Sequence, residues 1–152
     1  MIICGYQGIG KSTLAKNGNG FIDLESGNFF VDGKRHDDWY IPYCQIAMHL
    51  SQQGYKVFIS SHAVVRDHLS QYLGADKVVV LPASDLKDAW IEKLWIRWEE
   101  TKDEKDYRAY MNAADKYDEN IRELYDSRGF FPIVIDSMDY DLRALLESEG
   151  IS

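Results

Sequence analysis

With 152 residues, 45% of them hydrophobic, and only 3 Pro, the chain has the size of one domain with its own core and shows no stretch that reads as a linker. A net charge of −8 sets an average field against a polynucleotide, although a local cluster of donors can still meet a small anion. Cys4 and Cys44 lack metal-ligand spacing and read as small buried apolar residues; with no charged-then-apolar leader and no apolar run near the roughly 20 residues of a membrane span, the expectation is a cytoplasmic protein without a membrane partner.

Residues 1–4 form an apolar run that reads as a buried strand, and Gly5-x4-Gly10-Lys11-Ser12 follows directly. Glycines at this spacing let the backbone curl until its N–H groups point inward, and the helix expected from Ser12 to Lys16 adds its positive end. Such a ring holds phosphate. Gly5, Gly8, Ile9, Gly10, Lys11, Ser12 and Thr13 are therefore the candidate nucleotide-binding residues. Lys11 is placed to reach the outer phosphates and Ser12 to offer its hydroxyl to the magnesium that accompanies a triphosphate.

After the turn signal Asn17-Gly18-Asn19-Gly20, residues 21–24 read as a strand, expected beside the first as its parallel neighbour. Residues 37–53 read as a helix with Tyr40, Tyr43, Cys44, Ala47 and Leu50 on its apolar face. Residues 56–60 are a third strand, followed by a helix capped by Ser61 that carries Val64, Val65, Leu69 and Leu73 up to Gly74. The fourth strand covers 77–81 and is expected to break at Pro82. Ser84 or Asp85 then caps a helix with Trp90, Leu94 and Trp98 as its buried stripe, beside Ile91 and Trp95. A charged hinge at 101–104 leads to a long amphipathic helix over 106–127, with Tyr107, Tyr110, Met111, Ala114, Tyr117, Ile121, Leu124 and Tyr125 at three-and-four spacing. A fifth strand at 131–135 and a helix at 140–147 complete the chain.

Strands alternating with helices imply a parallel sheet covered on both faces, with ligands at the carboxyl ends of the strands. Asp23, Glu25 and Ser26 leave the second strand there, Ser60, Ser61, His62 and then Arg66 the third, and Asp136, Ser137 and Met138 the fifth. Each has a plainer reading. Asp23 and Glu25 can cap and solvate a strand-to-loop junction, Arg66 can pair with Asp67 at the surface, His62 can simply start a helix, and the Trp residues can be core.

GYQGIGKST, FIDLES and the helix DAWIEKLWIRW, in this order, resemble the P-loop nucleoside and nucleotide kinases of the adenylate-kinase type, especially their small bacterial and phage members. The resemblance spans nearly the whole chain and implies a three-layer α/β P-loop NTPase fold, with a five-stranded parallel sheet, helices on both faces and a small helical lid at about 86–108. It implies ATP and Mg²⁺ as cofactors and a small nucleotide as acceptor, with no polynucleotide. It further implies that Lys93 and Arg97 belong to the basic helix leading into the lid, and that Asp23 or Glu25 meets the acceptor or the metal. Arg66 then grips the acceptor phosphate, with Ser26 and Lys93 as further acceptor contacts. Where the third strand of the family ends in an Asp that serves the metal, this chain has Ser60-Ser61, which leaves that duty to Asp23 beside Ser12.

The expected activity is ATP- and Mg-dependent phosphoryl transfer to a nucleoside monophosphate, with Lys11, Asp23 and Arg97 as catalytic residues. A nucleoside or small-metabolite kinase follows instead if Asp23 deprotonates an alcohol, and a binding module without turnover is the third possibility. A monophosphate acceptor demands a cation such as Arg66 or Arg35, and an alcohol does not.

Overall fold

The computed structural model describes residues 1–29 and 32–151; Phe30, Val31 and Ser152 lie outside the described residues. The strands are β1 (Ile2–Gly5), β2 (Phe21–Asp23), β3 (Lys56–Ile59), β4 (Lys77–Pro82) and β5 (Phe131–Ile135). The helices are α1 (Lys11–Lys16), α2 (Tyr40–Gln52), α3 (Ala63–Leu69), α4 (Lys87–Thr101), α5 (Glu104–Tyr125) and α6 (Leu142–Ser148), with short 3-10 turns at Ser26–Phe29 and Ser84–Leu86.

All five strands are parallel, in the order β2-β3-β1-β4-β5, so the expected α/β architecture with a five-stranded parallel sheet is present. Every residue of β1 and β4 is buried, which requires cover on both faces; this is why these strands read as unbroken apolar runs without alternation. One expectation changes: β2 does not lie beside β1, because β3 is inserted between them, pairing Ile2 with Val57 on one side and Phe21 with Lys56 on the other. The chain leaves β1 toward the β2 edge and leaves β3 in the opposite direction, toward β4. Diverging connections open a crevice above the carboxyl ends of β1 and β3. Right-handed crossovers then put α1 on one face and α2 and α3 on the other. The packing agrees, since α2 lies against α3, α3 reaches α5, and α1 touches α6.

Several boundaries shift for local reasons. Pro82 does not break β4 but closes it, paired with Ile135, because the missing N–H falls where the ladder ends. Helix α3 stops at Leu69, leaving Leu73 98% exposed, and the residue its buried face gains is Arg66. Asp103, inside the expected hinge, caps α5 by accepting from the Lys105 N–H, and Lys102 adopts φ 54° at the corner. Asp141 likewise caps α6 through the Ala144 N–H, so the helix begins after Tyr140, not at it. Residues 86–108 form α4 and the first turn of α5, which pack along each other; no separate lid body is distinguished among the described residues. No helix there is long and apolar enough to cross a membrane.

Both thiols are buried, as expected, and burial pushes Cys4 up to about 11 and Cys44 up to about 12. A thiol reagent at pH 8 therefore meets almost no thiolate in the native protein. The expected result is modification of both residues only at the rate of global unfolding, read as a labelling time course with and without denaturant.

Candidate functional site

The loop between β1 and α1 is held from outside by three elements. The Trp90 indole N–H donates to the Gln7 carbonyl at 2.9 Å, the Tyr140 hydroxyl to the Ile9 carbonyl at 2.8 Å, and the Gln7 side-chain amide to the Ala109 carbonyl at 3.1 Å. Two of the loop's carbonyls are thus turned outward. No protein partner among the described residues takes the N–H of Gln7, Gly8, Ile9, Gly10, Lys11, Ser12 or Thr13; regular bonding resumes with Leu14, which donates to the Gly10 carbonyl at 3.1 Å.

Two glycines make this curl possible. Gly8 has φ 86°, and a Cβ there would stand 2.9 Å from Leu94 Cδ2. Gly10 has φ 102° at the start of α1, a conformation that is costly for any residue with a Cβ.

Across the crevice stand the groups leaving β2 and β3. Tyr43 ties the two strands together, donating its hydroxyl hydrogen to the Leu24 carbonyl at 2.6 Å and accepting from the Ser60 N–H at 2.8 Å. Burial raises the Asp23 carboxyl above its ordinary range. The Lys11 ammonium opposes this, and Glu25, close enough to share a proton with Asp23, adds to it. Two intervals of about 4.8 Å separate β1 from β2, so Lys11 and Asp23 act on each other across the end of β3, where Ser60 is small. Glu25 is in turn paired with Lys105 at 3.3 Å, which joins the first turn of α5 to the exit of β2.

His62 hydrogen-bonds Ser60 Oγ through Nδ1 and meets the Trp39 ring edge-on at 5.3 Å; Arg35 lies over that ring at 4.2 Å. Burial, Arg35 and Lys11 together depress the His62 pKa, so this imidazole is neutral at pH 7.

No protein-family model matches the chain, and no curated protein matches it. The arrangement is therefore read from its chemistry alone. Lys11, Ser12 and Thr13 open α1 at the mouth of the loop, with Asp23 and Glu25 opposite; Ser26, half-buried, begins the 3-10 turn beyond them.

The other expected cations sit elsewhere. Arg66, 7% exposed, donates to the Ser61 carbonyl at 3.2 Å, to Ser127 Oγ at 2.8 Å and to the Glu123 carbonyl at 3.4 Å, so its guanidinium joins α3 to the end of α5. Lys93 donates to the Tyr140 hydroxyl at 3.1 Å and lies over the Trp90 and Tyr140 rings, directly behind the loop. Arg97, seven residues and roughly 10 Å along α4 from Trp90, pairs at 3.1 Å with the buried Asp106, which also accepts from Thr101.

Among the described residues no three His, Cys, Asp or Glu side chains are grouped to hold a metal ion. Magnesium does not need such a cage; one or two protein oxygens beside a substrate's phosphates suffice, and the oxygens of that kind here are the Ser12 hydroxyl and the Asp23 carboxyl. Sequence reasoning missed Trp90, Tyr140, Tyr43 and Lys105 as parts of the site. Only Tyr140 carried a signal: Asp141 three residues before Ala144 is a helix-start pattern that leaves Tyr140 in the loop after β5.

Proposed function

We propose that the chain is a P-loop phosphotransferase that binds ATP with magnesium at residues 5–13 and passes the terminal phosphoryl group to a nucleoside monophosphate. The observation that carries this reading is the run of seven loop N–H groups, Gln7 to Thr13, without a protein partner among the described residues, in the same stretch as Lys11. Unpartnered N–H groups beside a loop whose Gln7 and Ile9 carbonyls are held by flanking side chains suit an anion of several oxygens. An oxygen of the acceptor attacks the terminal phosphorus, the bond to the bridging oxygen breaks, and that oxygen leaves on ADP. Magnesium, when bound, spreads the charge of the outer phosphates. Lys11 compensates charge that grows on the transferred group, and the loop N–H groups fix its direction.

For the acceptor, Arg35 on the Trp39 ring is the better placed guanidinium, since Arg66 is committed to α5. Arg97 and α4–α5 serve this proposal as a closing segment only if the Arg97–Asp106 pair opens during turnover. A second reading has its own support: the raised Asp23 carboxyl beside Glu25 suits a base that takes a proton from an alcohol, which makes the acceptor a nucleoside or small metabolite.

The deciding experiment measures ADP release over all ribo- and deoxynucleoside monophosphates and their nucleosides. Turnover with monophosphates alone supports the first reading, turnover with nucleosides alone the second, and no turnover with tight ATP binding sinks both. Asp23→Asn sharpens the choice. If Asp23 serves magnesium, kcat/KM falls about 10–100-fold and excess metal partly restores it. If Asp23 is a base, the rate falls about 10²–10⁴-fold, no metal concentration helps, and the acid limb of the pH profile disappears. Unchanged kinetics would reduce it to a cap.

A further inference from the structure

The contacts behind the loop have a geometry of their own. The Trp90 and Tyr140 rings stack at 6.0 Å with 19° between their planes, and each sends its one polar hydrogen to a different loop carbonyl, Gln7 and Ile9. Trp90 is fully buried, and burial pushes the Tyr140 phenol up to about 12, so its hydroxyl stays a donor at any working pH. The Lys93 ammonium lies 4.3 Å above the Trp90 ring and 5.0 Å above the Tyr140 ring, and it donates to the Tyr140 oxygen at 3.1 Å. A cation donating to a hydroxyl polarises that hydroxyl and strengthens its own donation onward. Leu94 and the Trp90 indole nitrogen fill the space a Cβ on Gly8 would need, which fixes the loop's distance from α4.

The C=O of one residue and the N–H of the next belong to a single planar trans peptide unit and point opposite ways, so when the carbonyl is drawn outward the N–H is turned inward. Holding the Gln7 and Ile9 carbonyls therefore aims the Gly8 and Gly10 N–H groups into the crevice, and it keeps two carbonyl dipoles from facing an anion.

We infer that Trp90, Tyr140 and Lys93 form a clamp that pre-sets the loop for a polyphosphate, with Tyr140 and Trp90 as positioning residues and Lys93 polarising Tyr140. This rests on the phosphate-loop reading above. Lys93, expected from the sequence at the acceptor, acts instead from behind the loop, on the nucleotide side. Without the clamp the loop must be ordered by the ligand itself, and that cost appears as lost affinity for the polyphosphate, not for the acceptor.

Tyr140→Phe keeps the stacked ring and removes only the hydroxyl. Binding of Mg·ATP and of inorganic pyrophosphate is measured by calorimetry for wild type, Tyr140→Phe, Lys93→Met and Lys11→Ala, with thermal melts alongside. The expected result for Tyr140→Phe is about 3–10-fold weaker binding of both probes, the size of one hydrogen bond. The acceptor KM should be unchanged, and the Gly8 and Gly10 amide resonances should broaden or shift in the absence of ligand. Lys93→Met should weaken both probes about 2–5-fold. Wild-type affinity in Tyr140→Phe, with Lys11→Ala losing binding, overturns the clamp while sparing the phosphate loop. Retained binding in Lys11→Ala as well overturns the loop and the clamp together. Should Tyr140→Phe fail to fold, Lys93→Met decides: wild-type affinity there removes Lys93 and the polarised Tyr140 from the inference.

Discussion

Lys11→Ala is expected to lower phosphoryl transfer by about 100-fold or more while the protein melts within a few degrees of wild type. The two halves of this result have separate causes. Lys11 is half-exposed, with no ion pair or hydrogen bond to the protein among the described residues, so little packing is lost on truncation. Its charge is nevertheless felt at Asp23 and His62, which leave β2 and β3 at the crevice, and at the buried Cys4, so what it does is electrostatic and local. Steady-state kinetics and a thermal melt on the same preparation check it. Activity within threefold of wild type would remove the loop from any chemistry; a large fall in melting temperature with unchanged kcat would make Lys11 structural.

Arg66→Met is expected to do the opposite. The guanidinium is buried and donates to two carbonyls and a hydroxyl, with Glu123 at 3.9 Å as its charge partner. A methionine of similar length fills the volume but leaves the Ser127 hydroxyl short of one partner and the Ser61 carbonyl without its side-chain donor, while the Glu123 carbonyl keeps only the Ser127 hydroxyl as a side-chain donor. The cost is about 3 kcal/mol, in the range for breaking a buried charged network from one side. In a chain of this size that lowers the melting temperature by roughly 6–12 °C. At temperatures well below the melt, the acceptor KM should stay within twofold of wild type, because the side chain turns toward α5. A tenfold rise in acceptor KM with an unchanged melt would mean that Arg66 leaves α5 to reach substrate.

These two residues show what was readable in advance. The strand, turn and helix around residues 1–16 were legible because their constraint is local: an apolar run, then Gly5, Gly8 and Gly10, then a helix start leave the backbone few alternatives. The strands and long helices were legible from periodicity, and their two-faced burial from the lack of alternation in β1 and β4. Partners were not. An Arg seven residues after a strand end can turn to a substrate or to a neighbouring helix, and only the position of α5, fixed by contacts far along the chain, selects Ser127 and Glu123. The stripe on α4 misled in part for the same reason. Trp90 and Leu94 are core as expected, but Trp95 and Trp98 meet Tyr110 and Tyr107 at tilted ring angles between α4 and α5 and stay partly exposed. Spacing can state that these side chains share a helix face; it cannot state where the opposing helix ends.

The strand order also dictates when the loop can exist. In chain order β1 precedes both of its neighbours in the sheet, which begin at Lys56 and Lys77, more than fifty residues later. Until β3 is synthesised Ile2, Ile3 and Cys4 have no ladder to join, and until β4 follows they are paired on one side only. The helix bearing Trp90 and the loop bearing Tyr140 come later still. Sequence-distant pairing of this kind slows folding, because chain entropy is lost before the contacts that compensate it can form. The loop is thus completed only when distant parts of the chain have docked, and a nascent chain should acquire resistance to proteolysis in one step, only after β5 has joined β4.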